Sequence, residues 1–366
     1  MQFEVQKSLL QKAISDVYGA VEKKNTISIL QNIKIDAKNN KIELYATDMD
    51  ILVNSHFECE IIQEGSTTVP ANMFFEIIRK ISDGKIAIDQ TSENQLRIKT
   101  GKSIYNLPCI DASEFPNLSE GDLGDETEVD SQKLCRMIDK TRFAISNDES
   151  RYYLNGLFLQ AVSNDQIKEI RSVATDGHRL AIASISIDHQ QNFGVIIPKK
   201  SVNEIRRIID GCKSLKIQVS RVKIKVSTES SVIISKLIDG EFPDYEKVLP
   251  KNNPHAIKLN KKQFYDSIDR VSTLANDKHR SIKIVIETNK INLQVSTNEG
   301  SFAHEEIDID YANDKIETGF NSRYLLEVIN QVDKDELTMF YKDGFSPALV
   351  EAVDLGAKFV IMPIRI

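Results

Sequence analysis

The sequence predicts an α+β protein built from three similar domains, because one pattern of strand and helix recurs along the chain. An opening that passes from a strand into a helix occurs three times at intervals of roughly 125 residues, a typical domain length. Its apolar positions have identical spacing in each copy: Val5, Leu10 and Ile14; Val129, Leu134 and Ile138; and Leu259, Phe264 and Ile268. A repeated unit usually builds a surface larger than itself, whereas catalytic sites are seldom built in triplicate.

A second helical stretch and several hairpins complete each repeat. The stretch recurs at 69–81, 197–209 and 320–332, with Glu76, Glu204 and Glu327 in register. Segments with alternating apolar and polar residues and internal turn signals predict antiparallel strands at 33–48, 85–100, 215–228 and 282–297. Each domain is therefore expected to pack two helices on one side of antiparallel strands. The six helices are predicted at 6–18, 71–80, 131–142, 198–210, 260–271 and 321–334.

Two interruptions predict the domain boundaries. The segment 118–129 is acidic and rich in Gly, and the segment 249–259 contains two prolines and two adjacent asparagines, which break regular structure. We therefore expect domains at 1–120, 128–249 and 255–366. The first two domains close alike, on EFPN at 114–117 and EFPD at 241–244.

The composition indicates a globular protein of the cytoplasm. The 366 residues contain 41% hydrophobic and 28% charged residues, and no run approaches the ~20 apolar residues that span a bilayer. The first ten residues include charges and resemble no signal peptide. Four scattered cysteines form no C-x-x-C pair, so we expect packing thiols in a reducing compartment. We predict no membrane partner, no metal and no cofactor.

Charge is distributed unevenly between the helices and the rest of the chain. The net charge is −7, yet the six predicted helices carry 17 Lys and Arg against 9 Asp and Glu. Helix surfaces often carry Lys and Arg, which is one explanation. Helices favour Glu as well, however, and these helices contain little of it. Basic helices within an acidic shell are what we expect if the helices together face a polyanion.

The segment VATDGHRLA at 173–181 is the sharpest local motif. Asp176-Gly177 between two apolar runs predicts a hairpin turn, which leaves His178 and Arg179 unexplained. Asp176 and His178 would suit a general base and its orienting group, but no nucleophile elbow accompanies them. The six histidines lack the i, i+3 or i+4 spacing of a zinc site, and no phosphate loop or base-reading motif is present. Backbone contact to nucleic acid without sequence choice is therefore favoured over catalysis.

Two further segments point to binding surfaces. RYYLNG at 151–156 has adjacent tyrosines, which on a strand would face opposite sides, so that one packs and the other meets solvent or a ligand. The chain ends on VIMPIRI at 360–366, an apolar tail with one arginine. Such a tail needs to be buried or covered by a partner, because exposed apolar patches promote association.

The triple repeat, RYYLNG, VATDGHRLA, FPDYEKVLP at 242–250 and the terminal MPIRI together resemble the bacterial sliding clamp family, the beta subunits of DNA polymerase III. The resemblance covers the whole chain with five motifs in the right order. It implies three similar DNA-clamp domains per chain and a head-to-tail dimer that closes into a ring with helices lining the hole. It also implies a processivity factor that encircles duplex DNA without sequence specificity and performs no catalysis.

The resemblance implies a cleft between the second and third domains that binds partner peptides. The matching motifs supply Leu154, Thr175, Gly177, His178, Arg179, Leu180, Pro243, Val248, Val360, Met362, Pro363, Ile364 and Arg365. Such a set is an apolar groove with a few polar fixing points, which suits a short linear peptide with a Leu or Phe anchor.

The resemblance also implies positions that contact DNA and positions that join two chains. The DNA set is Lys24, Arg151, Tyr152, Tyr153, Lys199, Lys200, Arg280 and Lys283. The dimer set is Lys102, Tyr105 and Leu107 of the first domain against Leu274, Glu305 and Glu306 of the third. Asn72, Met73 and Glu246 depart from basic residues common in the family, so weaker DNA contact and a different pocket rim are expected than the resemblance alone implies.

The implied partners are duplex DNA, a second copy of the chain, a clamp loader, the alpha subunit of DNA polymerase III, and other polymerases or repair proteins. Two alternatives remain open. An interaction scaffold without DNA would need only the repeats, and a hydrolase at Asp176 and His178 would need measurable turnover. The basic helices argue against the first alternative, and the missing nucleophile argues against the second.

Overall fold

A computed structural model describes residues 1–22, 26–92, 94–116, 121, 123–163, 168–187, 192–275, 280–297 and 299–365. The chain divides into two compact units. The first unit comprises Met1–Cys135 and Lys200–Leu237, and the second comprises Arg136–Lys199 and Ile238–Ile366. The middle repeat therefore contributes to both units.

The first repeat contains two helices and nine strands among its described residues. They are β1 (Gln2–Gln6), α1 (Lys7–Tyr18), β2 (Asn32–Lys38), β3 (Lys41–Thr47), β4 (Ile51–Glu58), β5 (Ile61–Gln63), β6 (Gly65–Pro70), α2 (Ala71–Lys80), β7 (Lys85–Ser92), β8 (Gln95–Thr100) and β9 (Ser103–Pro108).

The second and third repeats follow the same order of elements, without a counterpart of β5. The second contains β10 (Thr127–Asp130), α3 (Ser131–Thr141), β11 (Gly156–Ser163), β12 (Lys168–Thr175), β13 (Arg179–Ser186), β14 (Phe193–Pro198), α4 (Lys199–Ile208), β15 (Ser214–Val219), β16 (Lys223–Ser227) and β17 (Ser231–Lys236). The third contains β18 (His255–Asn260), α5 (Lys261–Ser272), β19 (Ser281–Glu287), β20 (Lys290–Ser296), β21 (Phe302–Asp308), β22 (Ile316–Asn321), α6 (Ser322–Asn330), β23 (Glu336–Tyr341), β24 (Ala348–Glu351) and β25 (Lys358–Ile361).

Each unit holds two sheets. The first unit has a five-stranded sheet in the order β5-β1-β7-β8-β9 and an eight-stranded sheet in the order β10-β15-β16-β17-β4-β3-β2-β6. The second unit has an eight-stranded sheet in the order β14-β11-β12-β13-β25-β24-β23-β18 and a four-stranded sheet in the order β21-β20-β19-β22. Both eight-stranded sheets thus join strands of two successive repeats, through the antiparallel pairs β17–β4 and β13–β25.

The predicted helices all form, within a few residues of the expected ends. In α1 the buried residues Leu10, Ala13, Ile14 and Val17 recur at the helical period, so one stripe faces the core. Stacking of Tyr18 on Phe75, with ring centroids 4.4 Å apart, packs α1 against α2. The last helix is shorter than expected: α6 ends at Asn330, and Gln331 already serves as its C-cap.

The predicted hairpins also form, as β2–β3, β7–β8, β15–β16 and β19–β20. Asn39 and Asn40 connect the first of these with φ angles of 52° and 57°. Asparagine tolerates this left-handed conformation better than most residues, which explains the tight turn there. The strand-to-helix opening predicted for each repeat is confirmed as β1–α1, β10–α3 and β18–α5.

The helices remain basic with their observed bounds. They contain 15 Lys and Arg against 7 Asp and Glu, so they carry +8 within a chain of net charge −7. The charge separation predicted from the sequence therefore does not depend on the exact helix ends.

Candidate functional site: a peptide groove, a basic loop and two open strand edges

The predicted hairpin turn at Asp176-Gly177 is confirmed between β12 and β13. One carboxylate oxygen of Asp176 accepts hydrogen bonds from the backbone N–H groups of His178 and Arg179, at 2.9 and 3.0 Å. Gly177 has a φ of 86°, and a side chain there would meet the guanidinium of Arg151. Asp176 is thus engaged in forming the turn, as a structural acceptor.

The C-terminal tail folds against this hairpin. In β25, Val360 pairs with Leu180 of β13, and beyond the strand the N–H of Met362 donates to the His178 carbonyl at 2.8 Å. The N–H of Ile364 donates to the Gly319 carbonyl, also at 2.8 Å. The sequence places these residues far apart, and β-pairing brings them together.

The hairpin and the tail contribute to one buried apolar cluster, which we call the floor. The buried side chains Leu154, Leu180 and Val360 belong to one cluster with Phe242 and Tyr245. Around it, the remaining predicted residues apart from Arg179 differ in exposure: Thr175, Val248, Met362, Pro363 and Ile364 are half-buried, and Gly177, His178, Pro243 and Arg365 are exposed. We call the buried floor and these surrounding residues the peptide groove.

Arg179 lies below this surface and is fully engaged inside the protein. It is 7% exposed, and it binds Asp176, the carboxylate of Glu327 on α6, and the main-chain carbonyl of Phe143. Its guanidinium also lies over the rings of Phe143 and Tyr324, at 5.0 and 4.4 Å from the centroids. The side chain of Arg179 is therefore held by groups inside the protein, and its predicted contact with a peptide stays a prediction.

Tyr324 is a residue of this region that the sequence analysis did not identify. It lies on α6, its ring stacks near that of His178 with centroids 6.1 Å apart, and it is half-buried. Desolvation by burial, together with the charge of Asp176, raises the pKa of its hydroxyl. Its sequence signal is weak, because one aromatic residue in an amphipathic helix resembles core packing.

A cavity of about 690 Å³ opens on another part of the same apolar cluster. Its apolar lining includes Ile182, Leu249 and Leu349, and its rim carries the ion pair of Arg171 with Glu169 at 2.5 Å. Glu246, one of the departures from the family pattern, also binds Arg171, at 2.8 Å. The predicted groove residues do not line this cavity.

The first four residues of RYYLNG belong to a 3₁₀ segment, Glu149–Leu154, that is kinked at Arg151, so the expectation of a strand for the two tyrosines is wrong. Asp148 caps the turn by accepting from the N–H of Ser150, which starts a helical rather than an extended conformation. Tyr152 is nevertheless 54% exposed while Tyr153 is partly buried. Arg151 pairs with Asp148 at 2.9 Å.

Lys199 lies beside this turn. Its ammonium donates to the side-chain oxygen of Asn147 at 2.7 Å, and its backbone N–H donates to the Asn155 carbonyl. Lys199, Arg151 and Tyr152 therefore form a local cluster of two cations and one exposed ring, which we call the basic loop. Such a combination suits a phosphate backbone.

The other predicted DNA residues lie outside the basic loop, and two of them, Lys200 and Lys283, bind carboxylates within the chain. Lys200 binds Asp48 at 2.5 Å; burial opposes its charge, but the hydrogen bonds to Asp48 and Glu22 and the charges of these two carboxylates together outweigh burial and raise the pKa of Lys200. Lys283 binds Glu317, whose pKa is lowered to about 2 by Lys315 and Lys283. Arg280 has a φ of 46° and is half-buried. Lys24 falls outside the described residues.

The residues predicted to join two chains lie on two strand edges and one helix end. β9 ends the five-stranded sheet and β21 ends the four-stranded sheet. Lys102 and Tyr105 are exposed, but Leu107 is only 4% exposed and belongs to the core, so its expected role as an open apolar contact is corrected. Beside Tyr105, β9 exposes the apolar side chain of Ile104.

On the other edge, Leu274 follows α5 and is 36% exposed. Glu305 binds Arg270 through both carboxylate oxygens, at 2.6 and 2.8 Å, and hydrogen bonding to Arg270 lowers its pKa. Glu306 binds Lys290 at 3.0 Å. Phe302, which the sequence analysis did not single out, is 60% exposed on β21.

Comparison with known proteins covers the whole chain. Residues 1–119, 128–244 and 246–365 match the N-terminal, central and C-terminal domains of the DNA polymerase III beta subunit. The chain is 38% identical to the beta sliding clamp of Caulobacter vibrioides and 32% identical to that of Escherichia coli, with full coverage of both chains in each case.

Solved structures give the same result. A Caulobacter crescentus beta sliding clamp superposes with a TM-score of 0.96 at 38% identity, covering 100% of this chain and 99% of that one. A sliding clamp from Bartonella birtlesii bound to griselimycin superposes with a TM-score of 0.95 at 36% identity, with full coverage of both chains. Among the described residues, no helix is long and apolar enough to cross a membrane. The three-domain match along the full length, together with the repeated α+β architecture, shows that this chain belongs to the DNA polymerase III beta subunit family, the beta sliding clamps.

Proposed function

We propose that this chain works as a DNA sliding clamp, a processivity factor that encircles duplex DNA and tethers the replicative polymerase to it. Two copies join head to tail into a closed ring. The ring holds DNA by enclosure, without sequence specificity and without catalysis of its own. A net charge of −7 suits this mode, because a chain of that charge gains little from general attraction to a polyanion.

The observation that carries the proposal is a pair of strand edges left open in a repeating pattern. β4, β13 and β21 occupy the same place in successive repeats, as do β17, β25 and β9. Within the chain, β17 pairs with β4 and β25 pairs with β13. The third pair of equivalents, β9 and β21, ends two sheets of the described chain. Pairing β9 of one copy with β21 of another, twice, closes a ring and removes both edges.

The apolar residues of these edges fit that joint. Ile104 and Tyr105 on β9 and Phe302 on β21 are exposed in the single chain, and Leu274 lies at the end of α5. Lys102 would add charge opposite Glu305 and Glu306. Those two carboxylates already bind Arg270 and Lys290, so the joint would share them in a network.

The test of the clamp function uses circular DNA. Once placed on a nicked circle by a clamp loader, the protein is expected to stay bound through gel filtration and to be released when the circle is cut. Release from the intact circle at the same rate would contradict enclosure, as would retention on linear DNA with open ends.

Leu274→Asp is expected to convert the dimer into folded monomers and to abolish retention on circles. Burying a carboxylate without a partner at the joint costs several kcal/mol, and the ring contains the joint twice. Val353→Asp is the matched control, because Val353 is 78% exposed and lies outside the proposed joint. Sedimentation velocity with circular dichroism checks both variants. A dimeric Leu274→Asp protein would show that the joint lies elsewhere.

The basic loop is expected to contact the DNA backbone. Replacing Lys199 and Arg151 together by Gln should weaken binding equally for any duplex sequence. It should also reduce the slope of log K against log salt by about 0.9 for each phosphate that the protein no longer neutralises. Lys258→Gln is the control, since Lys258 is well exposed on β18 and its nearest carboxylate is 3.9 Å away. Fluorescence anisotropy at several salt concentrations measures the slope, and a weakening that depends on base sequence would contradict this assignment.

Partner proteins are proposed to bind the peptide groove. The apolar floor of Leu154, Leu180 and Val360 suits a Leu or Phe anchor, and the exposed His178 and Arg365 are polar groups that can orient a peptide. The alpha subunit of DNA polymerase III, the clamp loader, and other polymerases or repair proteins would compete for it through short linear motifs.

A further inference from the structure

The second helices of the three repeats differ in how much of one face is covered. Three residues before the shared glutamate, Met73 of α2 is 55% exposed, whereas Ser201 of α4 is buried and Tyr324 of α6 is half-buried. One residue after it, Ile205 and Val328 are buried while Ile77 is only half-buried. This face of the helix is therefore more open in the first repeat than in the second and third.

The first helices show the complementary difference at their C-terminal ends. Six residues after the shared isoleucine, Ala20 and Ala144 are fully buried, whereas Leu274, at the end of α5, is 36% exposed. Two residues after that isoleucine, Asp16 is half-buried and Lys140 is buried, whereas Arg270 is exposed. The end of α5 and one face of α2 are thus exposed in the single chain. The equivalent surfaces, at the ends of α1 and α3 and on α4 and α6, are more deeply buried.

In both covered junctions the shared glutamate holds an arginine that donates to main-chain carbonyls near the end of the first helix, although the arginine belongs to α4 in one junction and to β13 in the other. On α4, Glu204 holds Arg207 at 2.5 Å, and Arg207 donates to the main-chain carbonyls of Ser15 and Asp16 in the last turns of α1. In the second unit Glu327, in register with Glu204, binds Arg179, which donates to the carbonyl of Phe143 just after α3. A cation placed there satisfies carbonyl groups at the negative end of a helix dipole.

The first repeat carries the same donor. On α2, Glu76 binds Arg79 at 2.7 Å, with the spacing found for Glu204 and Arg207. Arg79 is 53% exposed in its side chain. By repeat register, its acceptors are the carbonyls of Asp269 and Arg270, which correspond to Ser15 and Asp16. The side chain of Arg270 is itself positive, but the carboxylate of Glu305, which accepts two hydrogen bonds from it, offsets the repulsion that an approaching Arg79 would meet.

We infer that Arg79, held by Glu76, donates to the main-chain carbonyls of Asp269 and Arg270 at the C-terminal end of α5 in a second copy of this chain. In this joint, hydrogen bonds from an arginine to the end of a helix would add to the pairing of β9 with β21. The inference rests on the proposed ring. It assigns Arg79 to assembly, although its position on a basic helix would otherwise suggest contact with DNA.

Arg79→Gln tests the assignment against the control Lys80→Gln, at a neighbour that also binds Glu76 but corresponds to Ile208 in α4, whereas Arg79 corresponds to Arg207. Loss of a charge-assisted hydrogen bond weakens one joint about tenfold. Since the ring contains two joints, the dissociation constant of the dimer is expected to rise about a hundredfold. Lys80→Gln should change it less than threefold. Dilution of labelled protein followed by sedimentation measures both variants, and circular dichroism verifies folding.

Three outcomes separate the possibilities. If the unmodified protein is a dimer and Arg79→Gln has the same dimer dissociation constant, the proposed contact of Arg79 with α5 is wrong, while the ring itself is not contradicted. An unchanged dimer constant with a reduced salt slope of DNA binding assigns Arg79 to DNA instead. An unmodified protein that sediments as a monomer at all concentrations overturns both the ring and this inference. Arg79→Lys, which keeps the charge but not the planar fork, is expected to fall between the unmodified protein and Arg79→Gln.

Discussion

Arg179→Ala is expected to lower the free energy of unfolding by about 3 to 5 kcal/mol, the cost of breaking a buried ion pair from one side. The substitution removes the guanidinium that binds Asp176, Glu327 and the Phe143 carbonyl at once. It also removes the cation packed between the rings of Phe143 and Tyr324. Urea unfolding followed by circular dichroism measures the decrease.

Arg323→Ala provides a matched control for this prediction. Arg323 binds the same carboxylate group, Glu327, at 2.8 Å, but its side chain is 60% exposed. Exposed ion pairs contribute at most about 1 kcal/mol, so this variant should remain close to the unmodified protein. Equal effects from the two substitutions would contradict the view that burial of Arg179 sets its importance. Arg179→Lys should remain destabilised, because an ammonium cannot reproduce the planar set of donors.

Met362→Asp is expected to weaken binding of a polymerase-derived peptide with a Leu or Phe anchor by about 30-fold or more, as for a hot-spot residue. Met362 is half-buried next to Val360, and a carboxylate there would have to be desolvated by the anchor. The backbone hydrogen bond from Met362 to the His178 carbonyl does not depend on the side chain, so the tail should stay in place.

This substitution is a sharper test than deletion of residues 362–366. Deletion should also abolish peptide binding and leave the dimer intact, but it removes the backbone bonds of Met362 and Ile364 as well. Val353→Asp, at an exposed position outside the groove, serves as the control and should retain most of the affinity. Calorimetric titration measures all three proteins. Peptide affinity within threefold of the unmodified chain in Met362→Asp would show that the groove lies elsewhere.

Much of this architecture follows from the sequence because it depends on local periodicity. The six helices follow from apolar residues spaced at the helical period, and the hairpins follow from alternation interrupted by turn residues such as Asn39-Asn40. Aligning the three repeats by sequence likewise places Glu76, Glu204 and Glu327 at equivalent positions. The basic character of the helices needs only a count of charges once the helices are identified.

The roles of individual side chains depend instead on contacts between distant parts of the chain. In the sequence Leu107 resembles any other apolar residue of an edge strand, and only packing within its own unit makes it core while Ile104 stays open. Arg179 resembles a polar residue of a loop motif, yet Glu327 and Tyr324, almost 150 positions later, make it a buried support. Burial is a property of neighbours in space, so local periodicity specifies the elements but not which neighbours each side chain meets once the chain has folded.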